Sequence, residues 1–294
     1  MILMATRSGM PWLTAQLDSL IAQTHQNWTL WVSDDGSTDA TRDTLNAFDH
    51  AYPGRLARLV EGPRQGAAAN FLHLVCHPDR PAGMVAFCDQ DDVWMPDKLA
   101  RAVASLQGLG TAPAVWACRY RVTDRALLHG TISPLWPHPP SLENAVVQNI
   151  LSGHSLTLNA AAAQQLLAAG QVDVPHHDWW TYLVMSAMGA RIILDQAILL
   201  EYRQHGANMM GAGARSRQTR FAAVLNGTFG QWIGRNLQAL VKANVPLTAQ
   251  AEALVTAWRD PMLSDVQVLR QFGIHRQSRA ETGLLYLAAW LGRL

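Results

Sequence analysis

Short apolar runs begin near Ile2, Trp28, Leu56 and Met84, and stretches with helical spacing fill the intervals between them. This alternation is the strand–helix rhythm of a parallel sheet covered by helices. Between Pro11 and Ala22, residues Trp12, Leu13, Leu17, Leu20 and Ile21 share one face, with Pro11 at the favoured first helical position. A second helix is expected from about Thr38 to His50, a third over GAAANFLHLV from Gly66, and a fourth from Pro96. In such sheets ligands gather beyond the carboxyl ends of the strands, where Thr6, Asp34, Asp35 and Asp89 would converge.

After a further strand over Val115–Val122 the rhythm fails. Proline and histidine crowd the stretch from Ser133 to Pro140, which predicts a mobile surface loop. Regularity returns with GHSLTLN from Gly153, a helix over Ala160–Ala169 and the cluster VPHHDWW. From Arg215 onward only helices are expected, broken near Pro246 and Pro261. The pattern divides the chain into an α/β unit, residues 1–212, and a helical region, residues 213–294.

Composition narrows the partners. Of 294 residues 15% are charged and the formal net charge is +1, which gives no case for nucleic-acid binding. Cys76, Cys88 and Cys118 lie far apart, so reduced thiols in a cytosol are the simplest account. The start MILMATRSG reads as a first strand rather than a signal peptide, and no stretch reaches the ~20 apolar residues of a membrane span. The last stretch, TGLLYLAAWLGRL, is apolar enough to lie on its own domain, a second copy or a membrane surface.

Four motifs carry candidate chemistry. FCDQDDVWMP ends a buried strand with Asp89, Asp91 and Asp92, a concentration of charge tolerated where a divalent cation neutralises it. The same residues also suit the first turn of the helix that follows. VSDDGSTD places Asp34 and Asp35 at a strand end ahead of a glycine turn, with Ser37 or Thr38 as a helix cap. Gly36 falls where a calcium loop needs an oxygen, so a calcium loop is excluded. In HHDWW, Asp178 beside two indoles is placed either as a proton acceptor or as a helix N-cap among core tryptophans. Further on, EYRQHGANMMG supplies Arg203 and His205 past a strand.

Taken in order, VSDDGSTD, QGAAANF, FCDQDDVW, GHSLTLN, HHDWW and YRQHGANMMG resemble family 2 glycosyltransferases, in particular the bacterial rhamnosyltransferase-like branch. The resemblance spans roughly residues 2 to 212. It implies the GT-A fold, a nucleotide-binding αβα sandwich with a mostly parallel central sheet, followed here by the C-terminal helices. It also implies an inverting, non-processive transferase that takes a nucleotide-sugar donor and Mg²⁺ or Mn²⁺. The acceptor it implies is a growing bacterial surface glycan, carried on a lipid at the inner face of the membrane, and the branch points to a dTDP-linked sugar such as L-rhamnose. Residue by residue, Asp34 or Asp35 looks like the contact to base and ribose, Asp89 the ribose or metal-water contact, and Asp91 the direct metal ligand. Asp178 matches the catalytic base, and His205 resembles a histidine completing the metal or diphosphate site, with Arg203 beside it. Asp92 matches a third acid without an assigned role.

One departure stands out. Thr6 is followed by Arg7-Ser8-Gly9 where the branch has Tyr-Asn-Gly, so Arg7 is placed as a stacking or phosphate contact. It also leaves open a catalytically inactive donor-binding module within a membrane-associated assembly. Arg215, Arg217 and Arg220, with Phe221 to Leu225 and Trp232 and Trp290, suit either a lipid interface or a homodimer.

Overall fold

Successive residues of the first strand face opposite sides of the sheet: Ile2 and Met4 enter one apolar cluster, Leu3 the other. The fourth strand divides likewise, with Ala86 and Cys88 on the first side and Val85 and Phe87 on the second. A strand apolar at every position is therefore covered on both faces, as parallel strands require. Ile2, Leu3, Val85 and Phe87 have no exposed surface, and each such side chain contributes roughly 1.5–3 kcal/mol by leaving water.

The computed structural model describes residues 1–128, 130–205 and 227–294. Among these, nine strands form one sheet: β1 (Ile2–Thr6), β2 (Leu30–Asp34), β3 (Leu56–Glu61), β4 (Val85–Asp89), β5 (Val93–Trp94), β6 (Ala114–Thr123), β7 (Thr131–Ile132), β8 (Leu156–Leu158) and β9 (Arg191–Arg203). The order is β3-β2-β1-β4-β8-β6-β9-β5, with β7 paired to β6. Strands β1 to β4, β6 and β9 run one way; β5, β7 and β8 run against them. The sheet is thus mostly parallel, as expected. Register sets Thr6 opposite Asp34 and Ala5 opposite Asp89, so the carboxyl ends of β1, β2 and β4 lie level.

Helices α1 (Leu13–Ile21), α2 (Thr41–Ala51) and α4 (Lys98–Gln107) contribute to one face through Leu13, Leu17, Leu45 and Leu99. The other face is covered by α3 (Ala67–Val75), α5 (Leu142–Ala145), α6 (Ala160–Ala169) and α7 (His177–Ala187). The C-terminal helices are α8 (Thr228–Lys242), α9 (Ala249–Arg259), α10 (Asp265–Gln271) and α11 (Arg279–Trp290), with the breaks near Pro246 and Pro261 where expected. Phe229, Ile233, Leu254, Leu269 and Leu285 join the same apolar cluster as α7, so these helices share the core of the sheet. The expected boundary at residues 212 and 213, the motif residues 206–211, and Arg215, Arg217, Arg220 and Phe221 to Leu225 lie outside the described residues. Among the described helices none is long and apolar enough to cross a membrane.

Three local expectations need correction. The second helix starts at Thr41, not Thr38, because Ser37 and Asp39 are drawn to the loop after β1: Ser8 N donates to Ser37 Oγ (2.8 Å) and Met10 N to Asp39 Oδ2 (2.9 Å). Trp12 lies ahead of α1 and leaves that helix's apolar face for a contact described below. The stretch 133–140 lacks regular structure but is fastened, with Trp136 Nε1 donating to Ile150 O (3.1 Å) and His138 N to Gln277 Oε1 (2.9 Å).

Candidate active site

The strand ends meet in a bed of polar side chains. Asp34, 1% exposed, accepts from Thr6 Oγ1 (3.2 Å) and the Ser37 hydroxyl, and its other oxygen pairs with Arg42 Nε at 3.0 Å. Asp35 accepts from the backbone amides of Arg64 and Gly66, the latter at 3.2 Å. A Cβ on Gly62 would lie 2.7 Å from Asp35 Oδ1, so only glycine lets the β3 end approach this closely. Arg7 is exposed, and its backbone exchanges two hydrogen bonds with the Gln90 side chain (2.9 and 3.1 Å), tying the loop after β1 to the acidic turn.

In that turn each carboxylate has a different setting. Asp91 Oδ2 lies 2.7 Å from His205 Nε2, and Arg203 Nε donates to the Asp91 carbonyl (3.1 Å). Trp12 braces both partners, stacking on the His205 ring at 5.5 Å and lying under the Arg203 guanidinium at 4.6 Å. Asp92 has no exposed surface, and among the described residues neither of its carboxylate oxygens meets a close side-chain donor. His154 Nδ1 stands 3.5 Å from both Asp92 and Asp89, held by stacking on Tyr202 (4.8 Å) and edge contact with Tyr120 (4.6 Å).

The charges of the turn act on one another. Burial, then the charges of Asp91 and Asp89, pushes Asp92 well above the usual carboxylate range. Burial and then Asp89 also raise Asp91. Burial would raise Asp89 as well, but its bond to and the charge of His154 outweigh it and leave the group below its ordinary value. Lys98 lies behind the turn, fully buried, its ammonium 3.4 Å from the centre of the Trp94 ring. Asp89, Asp92 and His154 offer ligand atoms all within 4.8 Å of one another. Two carboxylates and an imidazole are a donor set that a divalent cation could occupy, and the enclosed carboxylate of Asp92 is a charge that such a cation would neutralise.

Asp178 is not an N-cap. His176 occupies that position without a side-chain cap, and Asp178 lies in the first turn of α7. Its carboxylate accepts from Trp179 N (2.7 Å) and Gly153 N (3.1 Å). His177 stacks on Phe71 at 4.0 Å, and burial holds its imidazole below its ordinary value despite the nearby carboxylates. Gly153 therefore holds the Asp178 side chain while its neighbour His154 faces the acidic turn. His154 and Trp12 are the two residues that motif reading missed. The only signal for His154 was a polar Gly-His-Ser step breaking into the apolar run LTL.

Family membership fits this geometry. A model of Glycosyl transferase family 2 matches residues 2–166, more than half of the chain. The chain belongs to glycosyl transferase family 2. The match takes in Thr6, Asp34, Asp35, the acidic turn and His154 but ends before α7, and Asp178, Arg203 and His205 lie beyond the matched residues. The dTDP-rhamnosyl transferase RfbG of Shigella flexneri is 25% identical over 253 residues, which cover 82% of this chain and 84% of that protein. The UDP-Glc:alpha-D-GlcNAc-diphosphoundecaprenol beta-1,3-glucosyltransferase WfgD of Escherichia coli is 31% identical over 106 residues, 36% of this chain and 40% of that one. Among solved structures, the mannosyltransferase PcManGT of Pyrobaculum calidifontis in complex with GDP-Man and Mn²⁺ superposes with a TM-score of 0.54 at 20% identity, covering 99% of this chain and 86% of its own. S. aureus TarS 1-349 in complex with UDP-GlcNAc gives a TM-score of 0.57 at 14% identity, with coverage of 98% and 78%. Identities this low establish the GT-A fold they share, and the family match makes the chain a glycosyltransferase.

Proposed function

We propose that this glycosyltransferase makes single, inverting additions of a sugar, L-rhamnose from a dTDP-linked donor, to a hydroxyl of a growing bacterial surface glycan carried on a lipid diphosphate. The observation that carries the reading is the joining of a base to an acidic turn through two adjacent residues, Gly153 on Asp178 and His154 on Asp89 and Asp92. The rhamnosyl donor is supported by RfbG, whose alignment spans most of both chains. The lipid diphosphate is supported by the acceptor in the name of WfgD.

Asp178 takes the proton of the acceptor hydroxyl as that oxygen bonds to the anomeric carbon. The bond from that carbon to the donor phosphate breaks on the opposite face, which inverts the centre and releases a nucleoside diphosphate. The two backbone amides that hold Asp178 fix its direction, and orientation of this kind accounts for a large part of catalysis. Asp34, Asp35, Thr6 and Arg7 line the donor's base and ribose end, and Arg203 and His205 flank the diphosphate. A divalent cation would be held by Asp91 with His205 or by Asp89, Asp92 and His154, and supplies Lewis-acid neutralisation of phosphate charge when bound.

The test is turnover against a panel of nucleotide sugars with a glycan acceptor carried on a lipid diphosphate and analysis of the product's anomeric configuration. Transfer from dTDP-L-rhamnose with inversion is expected. Retained configuration, or donor binding without any turnover, would refute the reading.

A further inference from the structure

Along the sheet, Thr6 and Asp34 end β1 and β2, the acidic turn follows β4, and His154 precedes β8. Next in the order come β6 and β9, and between these strands and the stretch 133–136 lies a cavity of about 110 Å³. Ala117 and Ile150 in its wall belong to the apolar cluster that holds Trp179 and Trp180 of α7, and Trp136 and Leu194 pack against that cluster. The cavity and Asp178 are therefore on one face of the sheet. They also share a segment of chain: Ser152 lines the cavity, and the next residue, Gly153, gives its amide to Asp178 at 3.1 Å. Tyr120, also in the wall, accepts from Ser152 Oγ (2.9 Å) and meets His154 edge-on at 4.6 Å.

The lining has a definite chemistry. Trp136 supplies a flat apolar surface, and its Nε1 donates to Ile150 O (3.1 Å), which fixes the ring. The wall on this side is tied to β6: Ser133 N donates to Tyr120 O (2.8 Å) and Tyr120 N to Ser133 Oγ (3.1 Å). The hydroxyls of Ser152 and Tyr120 and the exposed amide of Gln196 add neutral hydrogen-bonding groups. Charge in the lining is already engaged. Asp195 holds Arg101 through two bonds of 3.0 Å, and Arg119 commits its Nε and Nη2 to Ser133 O (3.2 and 2.6 Å), an edge that bidentate phosphate recognition uses. A fixed indole face ringed by neutral donors and acceptors matches a sugar ring, which carries C–H bonds on its faces and hydroxyls on its edge.

We infer that this cavity is a subsite for a neutral pyranose of the acceptor glycan, the sugar next to the one whose hydroxyl meets Asp178. Trp136 is its platform, and Ser152, Tyr120 and Gln196 are its polar contacts. The inference rests on the transferase reading and deepens it. In an inverting displacement the acceptor approaches from the side opposite the departing diphosphate, and the cavity lies across the acidic turn from the nucleoside end of the site. A sugar held against Ser152 is placed one residue from the amide that directs the base, so the subsite aligns the acceptor with Asp178.

The experiment reads sugar binding directly, without turnover. The full chain labelled with ¹⁵N-tryptophan gives an indole N–H signal for each of its 11 tryptophans, and that of Trp136 is the one missing from Trp136→Phe. Methyl pyranosides of glucose, galactose, rhamnose and N-acetylglucosamine are titrated in turn. At least one is expected to move the Trp136 signal saturably, with a Kd of about 1 mM for a ligand of about a dozen heavy atoms. Saturation transfer to the same pyranoside is expected to show binding weakened about tenfold in Trp136→Ala and about threefold to tenfold in Gln196→Ala. In transfer assays with a glycan acceptor carried on a lipid diphosphate, both variants are expected to raise the acceptor KM by similar factors, and the donor KM and Tm separate a lost subsite from a damaged fold. A Trp136 signal that no pyranoside moves overturns the subsite, as does an acceptor KM that neither variant changes; both results leave the transferase reading standing. A saturable shift at Trp136 with no transfer from any nucleotide sugar refutes the transferase reading and leaves a saccharide site.

Discussion

Replacing Gly153 by alanine adds one methyl group where the acidic turn meets α7. Its Cβ would lie 2.6 Å from His177 Nε2, 2.9 Å from His177 Cε1 and 3.5 Å from Asp178 Cβ. The backbone at Gly153 is not left-handed, so the conflict is steric. The His177 ring cannot swing aside, because Phe71 stacks on it at 4.0 Å and Phe87 meets it edge-on at 5.2 Å. Overpacking a site of this kind costs about 1–3 kcal/mol. If the first turn of α7 yields instead, Asp178 moves and loses the 3.1 Å bond from Gly153 N. A displacement near 1 Å at a catalytic base costs about 10²-fold in rate. Steady-state kinetics and thermal melting read the two effects separately: kcat is expected to fall by about 10²-fold with donor affinity unchanged and Tm lowered. Adding His177→Ala should recover part of both losses, with a coupling of about 0.5–3 kcal/mol. A Gly153→Ala enzyme with wild-type kcat and Tm would refute the claim that this turn positions the base.

Asp178→Asn should lower transfer by about 10²- to 10⁴-fold while donor-induced thermal stabilisation survives; lost donor affinity with normal turnover would contradict the base assignment. Mn²⁺ at a hundredfold excess over its Kd should stabilise the wild type by about 2.7 kcal/mol in melting experiments, and Asp92→Asn or His154→Ala should remove that gain. A gain that persists in both, and disappears only in His205→Ala, would move the cation to Asp91 and His205. Burial pushes the Cys76 and Cys118 thiols up to about 12 and Cys88 well above its ordinary value, so the nucleophilic thiolate is scarce at pH 8. Mass spectrometry after iodoacetamide treatment should find all three unlabelled in the native protein and labelled in urea; rapid native labelling would show that the burial is wrong.

Much of the architecture was legible because parallel strands are apolar at every position and helices between them are periodic. That pattern located β1 to β4, β6 and the helices between them to within a few residues. It failed where side chains serve distant loops. Ser37 and Asp39 have the composition of a helix cap, yet their oxygens accept from Ser8 N and Met10 N across about thirty residues of chain. Trp12 has the spacing of a core residue, yet it supports His205 and Arg203. Hydrogen bonds between segments far apart in the chain leave no periodic trace.

The sequence by itself determined the sheet type, the concentration of carboxylates at a strand end and, through six motifs in order, the family. Those are properties of local composition and spacing. Only the tertiary structure decided how the acids divide their work, because burial and neighbouring charge act through space. It leaves Asp92 fully enclosed, sets His154 between Asp92 and Asp89, and pairs Asp91 with His205 from more than a hundred residues away. In the sequence the three aspartates are near neighbours of the same type; the fold gives each a different dielectric, a different partner and so a different proton affinity.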